Sequence, residues 1–152
     1  MTVVVTDQRD EKDPTYIGAI RGGFGNPLKT LTTAKPVGDE VHDAFVGALR
    51  ARGLYDAGGR LTLAVTLTEL SANQMARREG HTSFRLVLTG TGGQPLYQDE
   101  EDVLKINGSL VTLDAGVFAS IDDLRTIADL SLSTAIDQAL DKPGFQAAVA
   151  GG

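Results

Sequence analysis

Five stretches of this chain carry side chains that could do chemistry. The first is glycine-rich: "RGGFGNP" sets Arg21 before Gly22, Gly23, Phe24 and Gly25. The backbone N–H groups of such a loop, with an arginine beside them, could hold an anion. A phosphate loop needs Gly-Lys-Ser/Thr running into a helix, and here Lys29–Thr30 follows Pro27 and Leu28. Nor is there a G-x-G-x-x-G, because Asn26, Pro27 and Leu28 follow Gly25. The spacing predicts a tightly turned surface loop, with ligand contact as the alternative. Arg9 follows Asp7 by two residues, directly after the opening valines. Such a pair at a strand end can pin a turn through charge-assisted bonds, and that structural role is expected ahead of ligand binding.

The other three stretches argue for less. Asp39, His42 and Asp43 fall within one helical turn, but zinc needs three or four ligands and His81 lies in another segment. Solvated helix residues are expected. "NGSLV" around Ser109 lacks the final glycine of a nucleophile elbow. Asn107–Gly108–Ser109 matches a glycosylation tripeptide but reads more simply as a turn. Asp99, Glu100, Glu101 and Asp102 stand in a row along a strand, where side chains alternate between faces. They lack the spacing and glycine of a calcium loop and read as a solvated strand face. No catalytic residue, cofactor site or metal site is assigned, and no enzyme is expected. The candidate contact surface is Arg9, Arg21, Gly22, Gly23, Phe24 and Gly25.

The elements that position these residues follow from periodicity. Residues 2–6 read as a strand, "YIGAIR" as a second and "LKTLTTAK" as an extended third. Val41, Ala44, Phe45, Ala48 and Leu49 make one face of a helix from about Gly38 to Arg52, with Gly53 beyond it. Leu61, Leu63, Val65 and Leu67 alternate with Thr62, Ala64, Thr66 and Thr68, which predicts a strand with one oily face. "TSFRLVLTGT", a two-residue turn at Gly92–Gly93, and "PLYQDEEDVLKI" complete three antiparallel strands. "LVTLDAGVFA" is ambiguous. Ser120 with Asp123 resembles a capping box, opening a helix whose stripe includes Leu124, Ala128, Leu132, Ala135 and Ala139. Pro143 ends it, and the last residues read as a short turn and a loose tail. The expected fold is α+β, in β-β-β-α-β-β-β-α order. Both helices pack on one face of a mostly antiparallel sheet. One domain over 1–142 and a tail over 143–152 are expected.

Composition narrows the classes. Lys and Arg number 14 and Asp and Glu 20, a net charge of −6, so nucleic acid is not an expected partner. The apolar runs are a few residues long, where a membrane-spanning helix needs about 20. There is no Cys, and the opening residues do not spell a secretion leader.

"VVVTDQRDEKD", "ALRARGLYDAGGRLTLAVTLTELSAN" and "IADLSLSTAIDQALDKPGFQAAV" together resemble the YajG-type family of bacterial lipoproteins. The shared pattern is a strand ending in Asp-x-Arg (Asp7, Arg9) and a helix ending in Arg-Gly (Arg52–Gly53). Three strands and a terminal helix follow, then an apolar tail containing Phe145. The resemblance implies a leader, a lipidated cysteine and a polar linker before Met1, and a domain tethered to the outer membrane on the periplasmic side. It implies a non-enzymatic binding or scaffold role, toward an envelope protein or a cell-wall component, without cofactors. It maps no catalytic residue here. A small-ligand or anion-binding role, or a cryptic enzyme, at the loop 22–26 is the rival expectation. A homodimer through strand edges is a third.

Overall fold

The computed structural model describes residues 1–107 and 120–152. "LVTLDAGVFA" and Ser109 lie outside the described residues. The elements are β1 (Thr2–Asp7), β2 (Tyr16–Arg21), β3 (Pro27–Thr32), α1 (Val37–Ala51), β4 (Thr62–Gln74), β5 (Arg78–Thr89), β6 (Pro95–Asn107), α2 (Ile121–Asp141) and α3 (Pro143–Gly151). Six strands form one mixed sheet, ordered β3-β2-β4-β5-β6. The pairs β2–β3, β4–β5 and β5–β6 are antiparallel, as the alternation and turns predict. β1 and β2 lie end to end along the same side of β4, both parallel to it. β1 pairs with Thr62–Leu67 and β2 with Ala72–Gln74.

Both long helices cover one face of this sheet. Thr82 and Phe84 are two residues apart on β5 and therefore point the same way. The Phe84 ring meets Phe45 of α1 edge-on, with centroids 5.2 Å apart. The Thr82 hydroxyl lies 2.8 Å from the Ser131 hydroxyl of α2. Each helix buries the stripe its periodicity predicts: Val41, Phe45 and Leu49 on α1, and Leu124, Ala128, Leu132, Ala135 and Ala139 on α2. Ser120 caps α2 by accepting from the Asp122 amide at 3.1 Å, and Asp123 pairs with Arg78 at 3.6 Å. At Gly80 the α2 backbone comes so near that an added Cβ would lie 2.4 Å from the Ile127 carbonyl oxygen. The strand admits the helix there because it carries no side chain.

Three local features differ from the reading of the sequence. A bulge between Leu67 and Glu69 shifts the inward set of β4 from Leu63, Val65 and Leu67 to Leu70, Ala72 and Gln74. One extra residue against the partner strand reverses every later side chain. The turn after β5 is longer than two residues: Gly93 N–H bonds Gly90 O, and Gly90 N–H bonds Gln94 O. Residues 143–151 form a helix where a short turn and loose tail were expected. Pro143 ends α2 but is also suited to start the next helix, whose first turn needs no proline N–H. Phe145 is fully buried, with its ring edge-on to Tyr97 at 5.9 Å.

Candidate functional site

The candidate residues divide between two environments. Arg9 is inside: its side chain is 3% exposed. It clasps both Asp7 oxygens through Nε and Nη2, at 2.9 to 3.2 Å. Its Nη1 donates to Tyr16 O at 2.8 Å and to Leu70 O at 3.3 Å. The placement has a clear cause. β1 leaves β4 at Leu67 and β2 joins it at Ala72, so the intervening β4 edge lacks a strand partner. The Gln8 amide takes Leu67 O and the Arg9 guanidinium takes Leu70 O, filling that gap. A buried carbonyl there would otherwise go unpaired. Asp7–x–Arg9 is thus a substitute for backbone pairing, and Arg9 is not on the contact surface.

Arg21 and the glycines sit at the end of the β2–β3 hairpin. Gly25 N–H bonds Gly22 O and Gly22 N–H bonds Asn26 O, each at 2.9 Å. Gly25 has φ of 80°, which an L-residue with a Cβ adopts at a cost. Two of the loop's amides are therefore committed to its own carbonyls, as the tight-turn reading predicts. Arg21 Nη1 adds a bond to Gly25 O at 3.2 Å. At the tip Phe24 stands fully exposed.

β2 and β4 are parallel here, with Ile20 opposite Gln74, so the β4–β5 turn emerges beside this hairpin. A groove of about 310 Å³ lies at this end, lined by Arg21, Gln74, Met75, Arg77 and Glu79. Met75 is more than half exposed, and Arg77 pairs with Glu79. The groove brings Met75 and Arg77, which the sequence reading did not name, beside Arg21, which it did. The available signal was the parallel pairing of β2 with β4, which no local pattern encodes.

The acidic run on β6 is split by the pleat. Glu100 and Asp102 face outward and pair across the sheet with Arg85 at 2.7 Å and His81 at 2.9 Å. Asp99 and Glu101 turn to the helix side, where Lys142 Nζ reaches both at 2.6 Å. Half of the expected solvated face is thus an inward clamp on the start of α3. Tyr97 donates to Asp99 at 3.0 Å. Burial alone would push Asp99 up. The ammonium, the phenol and the Glu100 amide together hold it below the usual carboxylate value. The two carboxylates raise Lys142, and burial with Asp99 raises Tyr97. Each shift favours the state already present at neutral pH, which suits a clamp and not proton transfer.

His42 lies on the exposed side of α1, 3.2 Å from Asp43, and Asp43 also pairs with Lys35. Among the described residues no group of three His, Asp or Glu gathers as a metal cage. No helix among them is long and apolar enough to cross a membrane.

No family model matches the chain, and no curated protein matches it. Solved structures do. Protein XCC0632 from Xanthomonas campestris, of family DUF330, superposes with a TM-score of 0.68 at 12% identity, covering 99% of this chain and 85% of that one. An uncharacterized protein superposes with a TM-score of 0.54 at 14% identity, covering 90% of each. A presumptive lipoprotein from Caulobacter crescentus gives 0.49 at 16% identity, covering 88% of this chain and 92% of that one. The chain therefore has the fold of the DUF330 protein XCC0632 over nearly its whole length.

Proposed function

We propose that this chain is a non-enzymatic periplasmic domain of an outer-membrane-tethered lipoprotein of the YajG type. It holds an envelope protein or cell-wall component at the pole formed by Arg21, Phe24, Met75 and Arg77. The observation that carries the reading is Phe24: a large aromatic ring, fully exposed, on a turn braced by two backbone bonds and Arg21. An exposed aromatic ring near an exposed methionine and two arginines has the side-chain types in which protein contacts are enriched.

The topology supports a partner on the side away from the membrane. Thr2 pairs with Thr62 and Ile20 with Gln74, so Met1 and Phe24 sit at opposite ends of β4. Thirteen strand residues separate the ends by about 40 Å at 3.3 Å each. A tether joined ahead of Met1 holds the domain by one pole and presents Phe24 at the other.

Two measurements test this in cells making the complete gene product. Alkyne-palmitate labelling reads the tether; a product that takes up no lipid overturns that half. A photo-crosslinking phenylalanine analogue at position 24 reads the contact, with Thr91 on the opposite turn as control. Trapping of a defined species at 24 and not at 91 is expected. Equal trapping at both, or none, removes the contact.

A further inference from the structure

β6 ends the sheet, and among the described residues no strand pairs with its outer side. An open edge of this kind is a template for another strand. Its two halves differ. Asp99, Glu100, Glu101 and Asp102 set like charges in a row on the first half, while residues 103–107 carry Lys105 as their one charge. Seven large hydrophobic side chains are exposed among the described residues, and three of them gather at this second half: Leu104 (52%), Ile106 (49%) and Leu130 of α2 (51%). Leu104 and Ile106 share the outward face of β6 with Asp102. Leu130 overhangs the edge from the helix side, beside Lys105 and Ile106.

The occupant follows from where these residues stand. Gly80 meets Ile127 of α2 and lies opposite Lys105, and Thr82 meets Ser131 and lies opposite Val103. Leu104 is therefore level with residues 129–130, so Leu104 and Leu130 share one line across the edge. A two-fold axis on that line sets each leucine against its own copy, the self-matching that an isologous contact requires. The acidic run selects the same register. An axis within residues 99–102 would lay the run on itself, and like charges directly opposite destabilise a strand pair. An axis before the run would find no exposed large hydrophobic side chain to cover. With the axis at Leu104 the two runs stand clear of each other, and Glu101 lies diagonal to Lys105 of the second copy. α2 lies over β5 and β6. At about 4.8 Å per strand its copy comes to about 10 Å from it, the distance at which helices pack. Asp123, on the flank of Leu130, is already held by Arg78 at 3.6 Å.

We propose that two copies of this chain pair antiparallel along residues 101–107 of β6, on a two-fold axis at Leu104, with Leu130 against Leu130 beside it. The pairing does not depend on the Phe24 pole and leaves a Phe24 turn open at each end of the dimer. Sedimentation velocity over a concentration series tests it. The native chain is expected at twice the monomer's mass at the high end and to dissociate on dilution. Leu104→Lys, at a half-exposed position, should stay monomeric throughout. The chain has no cysteine, so Leu104→Cys gives each copy one thiol, opposite its counterpart and within disulfide reach. Glu100→Cys, on the same face of the strand, is the control, roughly 26 Å from its counterpart in this register. Mild oxidation should couple the first variant and not the second. The proposal is overturned if the native chain is monomeric at every concentration, if Leu104→Lys leaves its assembly unchanged, or if the two cysteines couple equally.

Discussion

The chain builds the same turn twice. "GGFGNP" at 22–27 and "GTGGQP" at 90–95 share the spelling Gly-x-x-Gly-Asn/Gln-Pro. Each closes with the fourth residue's amide on the first residue's carbonyl, and the first residue's amide on the fifth residue's carbonyl. Gly25 and Gly93 take φ of 80° and 75°. The settings differ. The first turn ends two strands of six residues, and β3 exposes all but Leu31. The second ends strands of 12 and 13 residues, pressed on by α2 and α3 and clamped through Lys142. The tips differ too, Phe24 in one and Thr91–Gly92 in the other. Turn chemistry is portable, and what distinguishes the two hairpins is the support beneath them and the side chain carried at the tip.

The largest break to this comparison comes at the support. Lys142→Ala would leave Glu101, with 8% of its side chain exposed, and Asp99 without their cation. Breaking a fully buried pair costs several kcal/mol. Lys142 is itself 38% exposed, so water screens part of this and about 2 kcal/mol is expected. In a chain of this size that lowers Tm by roughly 5 °C. Asp99 is depressed, so its contribution is present above its unfolded value and fades as pH falls through its lower folded one. Lys142 is raised, so its contribution is full below its unfolded value and fades as pH climbs through the higher folded one. The stability gap between native chain and variant should be flat from about pH 5 to 9 and narrow at both extremes. Glu100→Gln, on the outward side of the same strand, is expected to cost under about 0.5 kcal/mol. If denaturant unfolding gave the two variants equal losses, the inward and outward assignment of β6 would be wrong.

The clamp also shows where sequence reading stops. Alternation predicts that a run of four carboxylates splits between two faces, yet not that the second face is covered, because α3 is what covers it. That helix was hidden by Pro143, which marks an end as readily as a beginning. The bulge after Leu67 was hidden for a related reason: Leu67, Thr68, Glu69 and Leu70 keep a plausible alternation on either parity, and only pairing with β5 decides it. By contrast α1, α2, β4 and β5 were legible because each is long and its apolar set repeats. Of the candidate site, Arg21 and Phe24 were legible because the glycines around them announce a turn. Arg9 was read correctly as half of an Asp–Arg pin. Its task along β4 stayed hidden, since a gap between β1 and β2 exists only once both have found the same partner.

A smaller effect tests the sameness of the two turns. An added Cβ at Gly25 or Gly93 meets no atom within 4 Å, so the cost of alanine there is that of the left-handed backbone alone, about 1 kcal/mol. Gly25→Ala and Gly93→Ala should therefore lower stability equally, and asparagine at either position should recover part of the loss, because it tolerates this conformation better. A large difference between the two in chemical denaturation would mean that the supporting strands, and not the turn, set the local conformation.

The smallest effect on stability is expected at the tips, and there the comparison bears on function. Phe24 buries nothing against its own chain, so Phe24→Ser should leave the unfolding midpoint within about 0.5 kcal/mol of the native value. Removing an aromatic anchor from a contact typically costs 2 kcal/mol or more, about thirtyfold in affinity. Phe24→Ser should therefore lose co-purification of the species that the position-24 analogue traps, while folding as before. The reciprocal change sharpens the point, since Gly92→Phe puts the same ring at the same position of the turn at the other pole. If the ring alone were the attraction, Gly92→Phe would acquire the partner. If the partner also reads Arg21, Met75 and Arg77 around Phe24, it would not, and the outcome of that single transfer separates a sticky tip from a contact surface.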